Sequence, residues 1–165
     1  MIKEKIKLDN NLYTFNVNNK QIILSDTNKF NYDKIEGLWG LCDENNNILI
    51  KPKYIFPIEL IHDKYFVSQN VEKIGMIYTI KSGLIDINEN EIIPIMYLFM
   101  EYLGRFLFRV ANDKYEYGII DIDDNIIVPF KYDFIGDKII DDKVILKKNN
   151  DNYYYNLNTK EIDYE

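Results

Sequence analysis

Three stretches of 15 residues align without a gap: Gly40 to Tyr54 (GLCDENNNILIKPKY), Gly83 to Tyr97 (GLIDINENEIIPIMY) and Gly118 to Tyr132 (GIIDIDDNIIVPFKY). Such repetition constrains a fold more than composition does, because each unit must bury its apolar face against a neighbour of the same kind. Counting the Gly as position zero, Asp follows at position 3 (Asp43, Asp86, Asp121), Asn at position 7 (Asn47, Asn90, Asn125) and Tyr at position 14. Weaker copies flank them at Tyr13 to Ile23 and Tyr153 to Ile162, with Asn16 and Asn156 in place of the Asp. The anchors at 13, 40, 83, 118 and 153 step by 27, 43, 35 and 35 residues. Uneven steps assign the length variation to the connections, where loops tolerate it.

Each unit has the pattern of a β-hairpin. An apolar arm (Leu84-Ile85, Ile119-Ile120) leads into a polar turn and then a β-branched arm (Ile92-Ile93, Ile126-Ile127-Val128). Position 5 holds Asn or Asp in every copy (Asn18, Asn45, Asn88, Asp123, Asn158). These residues tolerate the left-handed backbone of a tight turn, so position 5 is the expected turn centre. Pro94, Pro129 and, one position later, Pro52 are expected to close the second arm, since proline donates nothing to a ladder. Tyr65-Phe66-Val67, Phe106-Leu107-Phe108 and Val144-Ile145-Leu146 then supply a third strand. The sequence therefore predicts an all-β chain of tandem antiparallel hairpins or three-stranded repeats, packed as one continuous domain over residues 1–165. The full repeats lie near 38–67, 82–110 and 117–146, and the degenerate end copies near 12–24 and 153–162. The expected core is Trp39, Leu41, Ile85, Ile120 and the recurring Tyr54, Tyr97 and Tyr132.

Leu38-Trp39-Gly40-Leu41-Cys42-Asp43 and Ile50-Lys51-Pro52-Lys53-Tyr54 resemble the bacterial WG-containing repeat proteins. Repeats of that family have Trp-Gly, an apolar pair, Asp, an Asn-Gly turn, an Ile-Ile-Pro segment and a Tyr. The Trp is kept once, since the other copies have Ser82-Gly83 and Tyr117-Gly118, and the family's turn Gly is replaced by Asn46, Glu89 and Asp124. The resemblance covers residues 12 to 162. It implies an all-β repeat domain from a bacterium and no catalytic residues, because the family is a scaffold without a shared reaction.

Composition narrows the partners. The chain has 28 Ile and 14 Tyr but one Ala (Ala111) and two Arg (Arg105, Arg109), a balance favouring strands over helices. The net charge of −7 and the scarcity of Arg argue against nucleic acid and against attraction to an anionic membrane. No run reaches the ~18 to 20 apolar residues that span a bilayer, and none follows the charged N-terminus as a signal peptide would. A cytoplasmic location is the expectation.

No residue pattern carries a reaction. His62, the one histidine, falls in the longest connection with no nucleophile motif beside it, so a solvated loop position is expected. Cys42 shares its column with Ile85 and Ile120 and is expected to be a small core hydrophobe; one Cys and one His make no zinc site. Asp121-x-Asp123-x-Asn125 and its two counterparts open like a calcium loop, but Ile126 and Tyr132 stand where Gly and Glu belong. Turn chemistry explains these triplets better than metal. No cofactor is expected, and no enzyme.

Charge is concentrated between Asp121 and Asp142, where seven acids (Asp121, Asp123, Asp124, Asp133, Asp137, Asp141, Asp142) face two bases (Lys131, Lys138), a local balance of −5. A solvated edge accounts for such a concentration; as a docking face it would suit a protein partner with a basic surface. Asp137, Asp141 and Asp142 lie in a connection and are the expected contact residues. The functional expectation is a non-enzymatic protein-binding module, of the immunity or inhibitor kind. The alternative is a glycan or cell-envelope ligand-binding module using Tyr102, Tyr115, Tyr117 and Tyr153-Tyr154-Tyr155 for stacking, although tyrosine is also an ordinary strand residue.

Overall fold

The computed structural model describes residues 5–7, 12–17, 21–32, 35–43, 45, 47–54, 56, 58, 60–62, 64–74 and 77–164, and within strands the side chains of 39–71 and 79–163. Asn18, Asn46 and the side chains of the copy near 12–24 lie outside them. All described regular structure is strand.

Four antiparallel sheets follow one another along the chain, and in each the strands lie side by side in chain order. The first contains β1 (Lys5–Lys7), β2 (Leu12–Val17), β3 (Gln21–Tyr32), β4 (Ile35–Cys42) and β5 (Ile48–Tyr54). The second contains β6 (Leu60–Ile61), β7 (Tyr65–Ile74), β8 (Ile77–Asp86) and β9 (Glu91–Tyr97). The third is β10 (Phe99–Gly104), β11 (Leu107–Ala111), β12 (Tyr117–Asp121) and β13 (Ile126–Tyr132). The last is β14 (Phe134–Ile135), β15 (Lys143–Lys148), β16 (Asp151–Asn156) and β17 (Glu161–Tyr164).

The expected three-stranded unit is thus corrected to a meander of four or five strands. The supposed third strand joins the sheet of the following hairpin: Leu107 to Ala111 pairs residue for residue with Asp121 to Tyr117. A short strand after each Tyr starts that sheet, so the repeat tyrosine ends one sheet and the next begins within a few residues.

The prolines also depart from expectation, because β5, β9 and β13 run straight through Pro52, Pro94 and Pro129. A bulge accounts for this. Tyr117 pairs with Tyr132 and Ile119 with Val128, so Pro129, Phe130 and Lys131 all lie opposite Gly118. Trp39 with Tyr54 and Leu41 with Ile50 place Lys51, Pro52 and Lys53 opposite Gly40 in the same way. Inside a bulge the missing proline N–H breaks no ladder bond. The bulging strand also explains the invariant glycine: a Cβ at Gly83 would lie 2.6 Å from the Ile93 carbonyl oxygen and 2.7 Å from Ile95 Cα.

The chain divides into two compact units, Met1–Asn70 with Leu84–Glu91, and Val71–Gly83 with Ile92–Glu165. In the first, Leu41, Cys42, Ile50, Tyr54, Phe66 and Ile85 are buried, and the rings of Tyr54 and Phe66 meet edge-on at 5.4 Å. In the second, Ile119, Val128 and Tyr132 pack against Ile135, Val144, Leu146 and Tyr155, one sheet face closing on the next. Every expected core position is buried except Trp39, which is half-buried.

Candidate functional site

The repeated carboxylates are consumed by their own turns. Asp86 Oδ1 accepts the backbone N–H groups of Asn88 (2.8 Å) and Asn90 (2.9 Å), while its Oδ2 accepts the Asn90 side-chain amide at 3.0 Å. Asp43 does the same with Asn45 and Asn47, and Asp121 with Asp123 and Asn125. This explains why Asp at position 3 travels with Asn at position 7. It also accounts for the calcium-like triplets by turn chemistry, because both oxygens are aimed at protein donors. Among the described residues no group of three or more His, Cys, Asp or Glu could hold a metal ion.

The left-handed residue is not at position 5, as expected, but one later: Glu89 has φ 67° and Asp124 φ 62°. Position 5 instead donates its backbone N–H to the Asp carboxylate, which holds it in a right-handed turn. Asn88 and Asp123 are therefore turn members but not the strained ones.

The hydrogen bonds at Asp43 and Asp86, led by their Asn47 and Asn90 side-chain amides, hold both carboxyls below the usual range; Asp121, despite some desolvation, is lowered by the same set. A depressed folded-state pKa stabilises above the unfolded value and is lost as pH falls through the folded one. Their contribution to stability is therefore expected to fall away below about pH 3.9, the ordinary Asp value. A pH titration of Asp86→Asn by circular dichroism should show a shallower acid limb than the native chain, and an identical limb would contradict the assignment.

Glu89 and Asp124 have a second role. The Tyr54 hydroxyl donates to Glu89 Oε1 at 3.0 Å, and the Tyr97 hydroxyl to Asp124 Oδ1 at 2.6 Å. The Tyr of one repeat thus latches onto position 6 of the next. Burial first, then the carboxylate acceptor, pushes both phenols well above the ordinary tyrosine range. Lys53 pairs with the same Glu89 and, more than the Tyr54 bond, lowers its carboxyl. The sequence carried a signal for this latch, namely acids standing where the family has Gly. Arg109 gave no such signal: its guanidinium pairs with Glu101, donates to the Ile135 carbonyl at 2.6 Å and lies over the Phe99 and Phe134 rings.

The acidic segment divides in the same manner. Asp121 closes a turn and Asp124 receives Tyr97. Asp133 accepts the Asn149 backbone N–H at 2.7 Å. Asp142 pairs with Arg105 and accepts the Asn158 amide at 2.9 Å, and Arg105 is the main cause of its lowered carboxyl pKa. Asp137 and Asp141 are exposed. Asp141 and Asp142 are the two central residues of the tight turn from Ile140 to Lys143, with φ 47° and 59°. The three expected contact residues therefore share one connection, with Asp142 turned to its supports.

His62 stands in an exposed turn between β6 and β7 with φ 52°. Cys42 is buried, and burial, with Asp43 adding to it, raises its thiol to about 11, leaving little thiolate at neutral pH. Most of the tyrosines considered for stacking serve packing: Tyr102 lies against Phe108, Tyr117 against Phe99 and Tyr153 against Tyr132, while Tyr155 is buried. Tyr115 is exposed in a turn.

No curated protein and no solved structure matches the chain. The model of one family, the WG containing repeat, matches residues 39–54 and 117–150, which include the first and third hairpins with their Gly, Asp, Asn and Tyr columns. In these two stretches the chain is similar to the WG containing repeat.

Proposed function

We propose that this repeat module is non-enzymatic and works by binding another protein with a basic surface, as an immunity or inhibitor protein does. The observation supporting this is the division within the acidic segment. Four of its seven carboxylates are engaged by turns, latches or ion pairs and Asp123 is exposed within its hairpin turn, whereas Asp137 and Asp141 face solvent from a connection fixed at both ends. Gly136 donates to Ile145 at 2.8 Å, and Ile140 and Lys143 bond each other at 2.9 and 2.8 Å. Charges held on a rigid loop favour encounter with a basic partner at little ordering cost. Asp142 contributes by positioning that turn through Arg105.

The partner is to be recovered by pull-down from cell lysate with mass spectrometry. Titration of Asp137→Asn/Asp141→Asn against it at two salt concentrations then tests the role of the loop. Slower association and a flatter salt dependence are expected, since screening reaches about 8 Å at physiological ionic strength. Unchanged affinity and unchanged salt dependence would reduce the cluster to a solvated edge.

A further inference from the structure

The two-residue turns of the second unit put unlike residues into one backbone shape. Asn149-Asn150, between β15 and β16, has φ 51° and 71°, and Asp141-Asp142, between β14 and β15, has φ 47° and 59°. Asn and Asp tolerate that left-handed region. The counterpart of Asp141-Asp142 in the preceding sheet, between β10 and β11, is Arg105-Phe106, with φ 55° and 56°. Neither residue suits the conformation, and a bulky phenylalanine there is an outlier. Hairpin turns of this kind ordinarily take Asn-Gly or Asp-Gly.

Neighbouring groups hold this turn from two sides. The Tyr102 hydroxyl accepts the Phe106 backbone N–H at 3.4 Å, and Arg105 pairs with Asp142. That ion pair also ties the turn to its counterpart in the last sheet, so the tips at 105–106 and 140–142 are neighbours. The strained backbone keeps a ring at the surface. Phe106 is 38% exposed, Ile140 on the other tip is 60% exposed, and a Cβ at Gly104 would meet nothing within 4 Å. Strained residues fixed by their surroundings gather at binding sites, and a ring on a fixed backbone has little left to order when it binds.

The charges beside the two tips select the occupant. Arg105 is neutralised by Asp142, while Asp137 and Asp141 are exposed in the connection that carries Ile140 and outnumber its one cation, Lys138. An acidic partner would be repelled, and a wholly apolar one would leave carboxylates without counter-charge at the contact. We infer that Phe106 and Ile140 are the apolar contacts of a docking surface for a protein segment that sets apolar side chains among lysines or arginines. The inference rests on the acidic-loop reading and deepens it, because rings buried at a contact carry more binding energy than exposed charge pairs.

NMR titration of the isotope-labelled full chain tests it with two synthetic peptides, one alternating lysine with leucine and one alternating lysine with serine. The leucine peptide should shift the amides of 104–107 and 137–142 and bind at least about tenfold tighter than the serine peptide. Phe106→Asn should abolish that margin without lowering the thermal unfolding midpoint, since Asn suits the left-handed turn. Ile140→Ser, at an exposed position, should narrow the margin independently. Equal affinity for the two peptides, with shifts confined to 137–142, overturns the apolar contact and leaves the acidic loop standing. A leucine preference that Asp137→Asn/Asp141→Asn leaves unchanged overturns the basic occupant and the acidic-loop reading together. Binding by neither peptide overturns the inference, as does a Phe106→Asn midpoint several degrees below the native one, which would assign the ring to packing.

Discussion

Gly83→Ala is expected to lower the thermal unfolding midpoint by about 6–12 °C. The new Cβ would meet Ile93 oxygen at 2.6 Å and the Pro94 oxygen and Ile95 Cα at 2.7 Å, all backbone atoms that cannot rotate away. Overpacking of this kind costs roughly 3 kcal/mol at its upper range, and each kcal/mol moves the midpoint about 2–4 °C in a chain of this length. The three repeat glycines should rank. Gly40→Ala meets the Ile50 carbonyl closer still and Pro52 nitrogen at 2.8 Å, so it should be the most damaging. Gly118→Ala meets Val128 oxygen at 2.9 Å but otherwise the Phe130 ring at 3.1 Å, a side chain able to give way, and should be the mildest. Gly104→Ala is the control. Its φ of 103° strains any side chain, yet nothing lies within 4 Å, so only a conformational penalty of about 1–2 kcal/mol applies. Calorimetry of the four variants checks the order, and equal midpoints would refute the close approach at the bulge.

Tyr97→Ala should destabilise by about 3–5 kcal/mol, as truncation of a buried aromatic does. The ring is 8% exposed and stacks on Phe130 at 6.0 Å. Tyr97→Phe separates the latch from the packing, since it removes only the hydroxyl bond to Asp124; a hydrogen bond to a charged group contributes about 1.5–3 kcal/mol. A double-mutant cycle with Asp124→Asn should then show coupling of at least about 0.5 kcal/mol. Additive effects in denaturant titrations would mean that the hydroxyl bond adds nothing to joining the repeats.

The two experiments probe the two columns most legible in the sequence. Gly, Asp, Asn and Tyr recur because each meets a local demand repeated in every hairpin: a bulge, a turn acceptor, its donor and a buried ring. Local demands print themselves at fixed spacing. For that reason the all-β class, the hairpins and the buried tyrosines could be read from residue order alone. The division into repeats was less legible. An apolar run after each Tyr is compatible with pairing backwards or forwards, and only the ladder shows that Phe108 pairs with Ile120 of the following hairpin.

The candidate site follows the same rule. Residue order located the charge concentration and placed Asp137, Asp141 and Asp142 in one connection. It could not distinguish Asp142 from the other two, because Arg105 and Asn158 reach it from 37 and 16 residues away. Nor could it show that Glu89 and Asp124 receive the tyrosines of the preceding repeats. The spacing of like residues determined the hairpins, since turn and strand chemistry act over a few neighbours. Which carboxylates are engaged was decided by tertiary structure, since that depends on groups brought together only by folding.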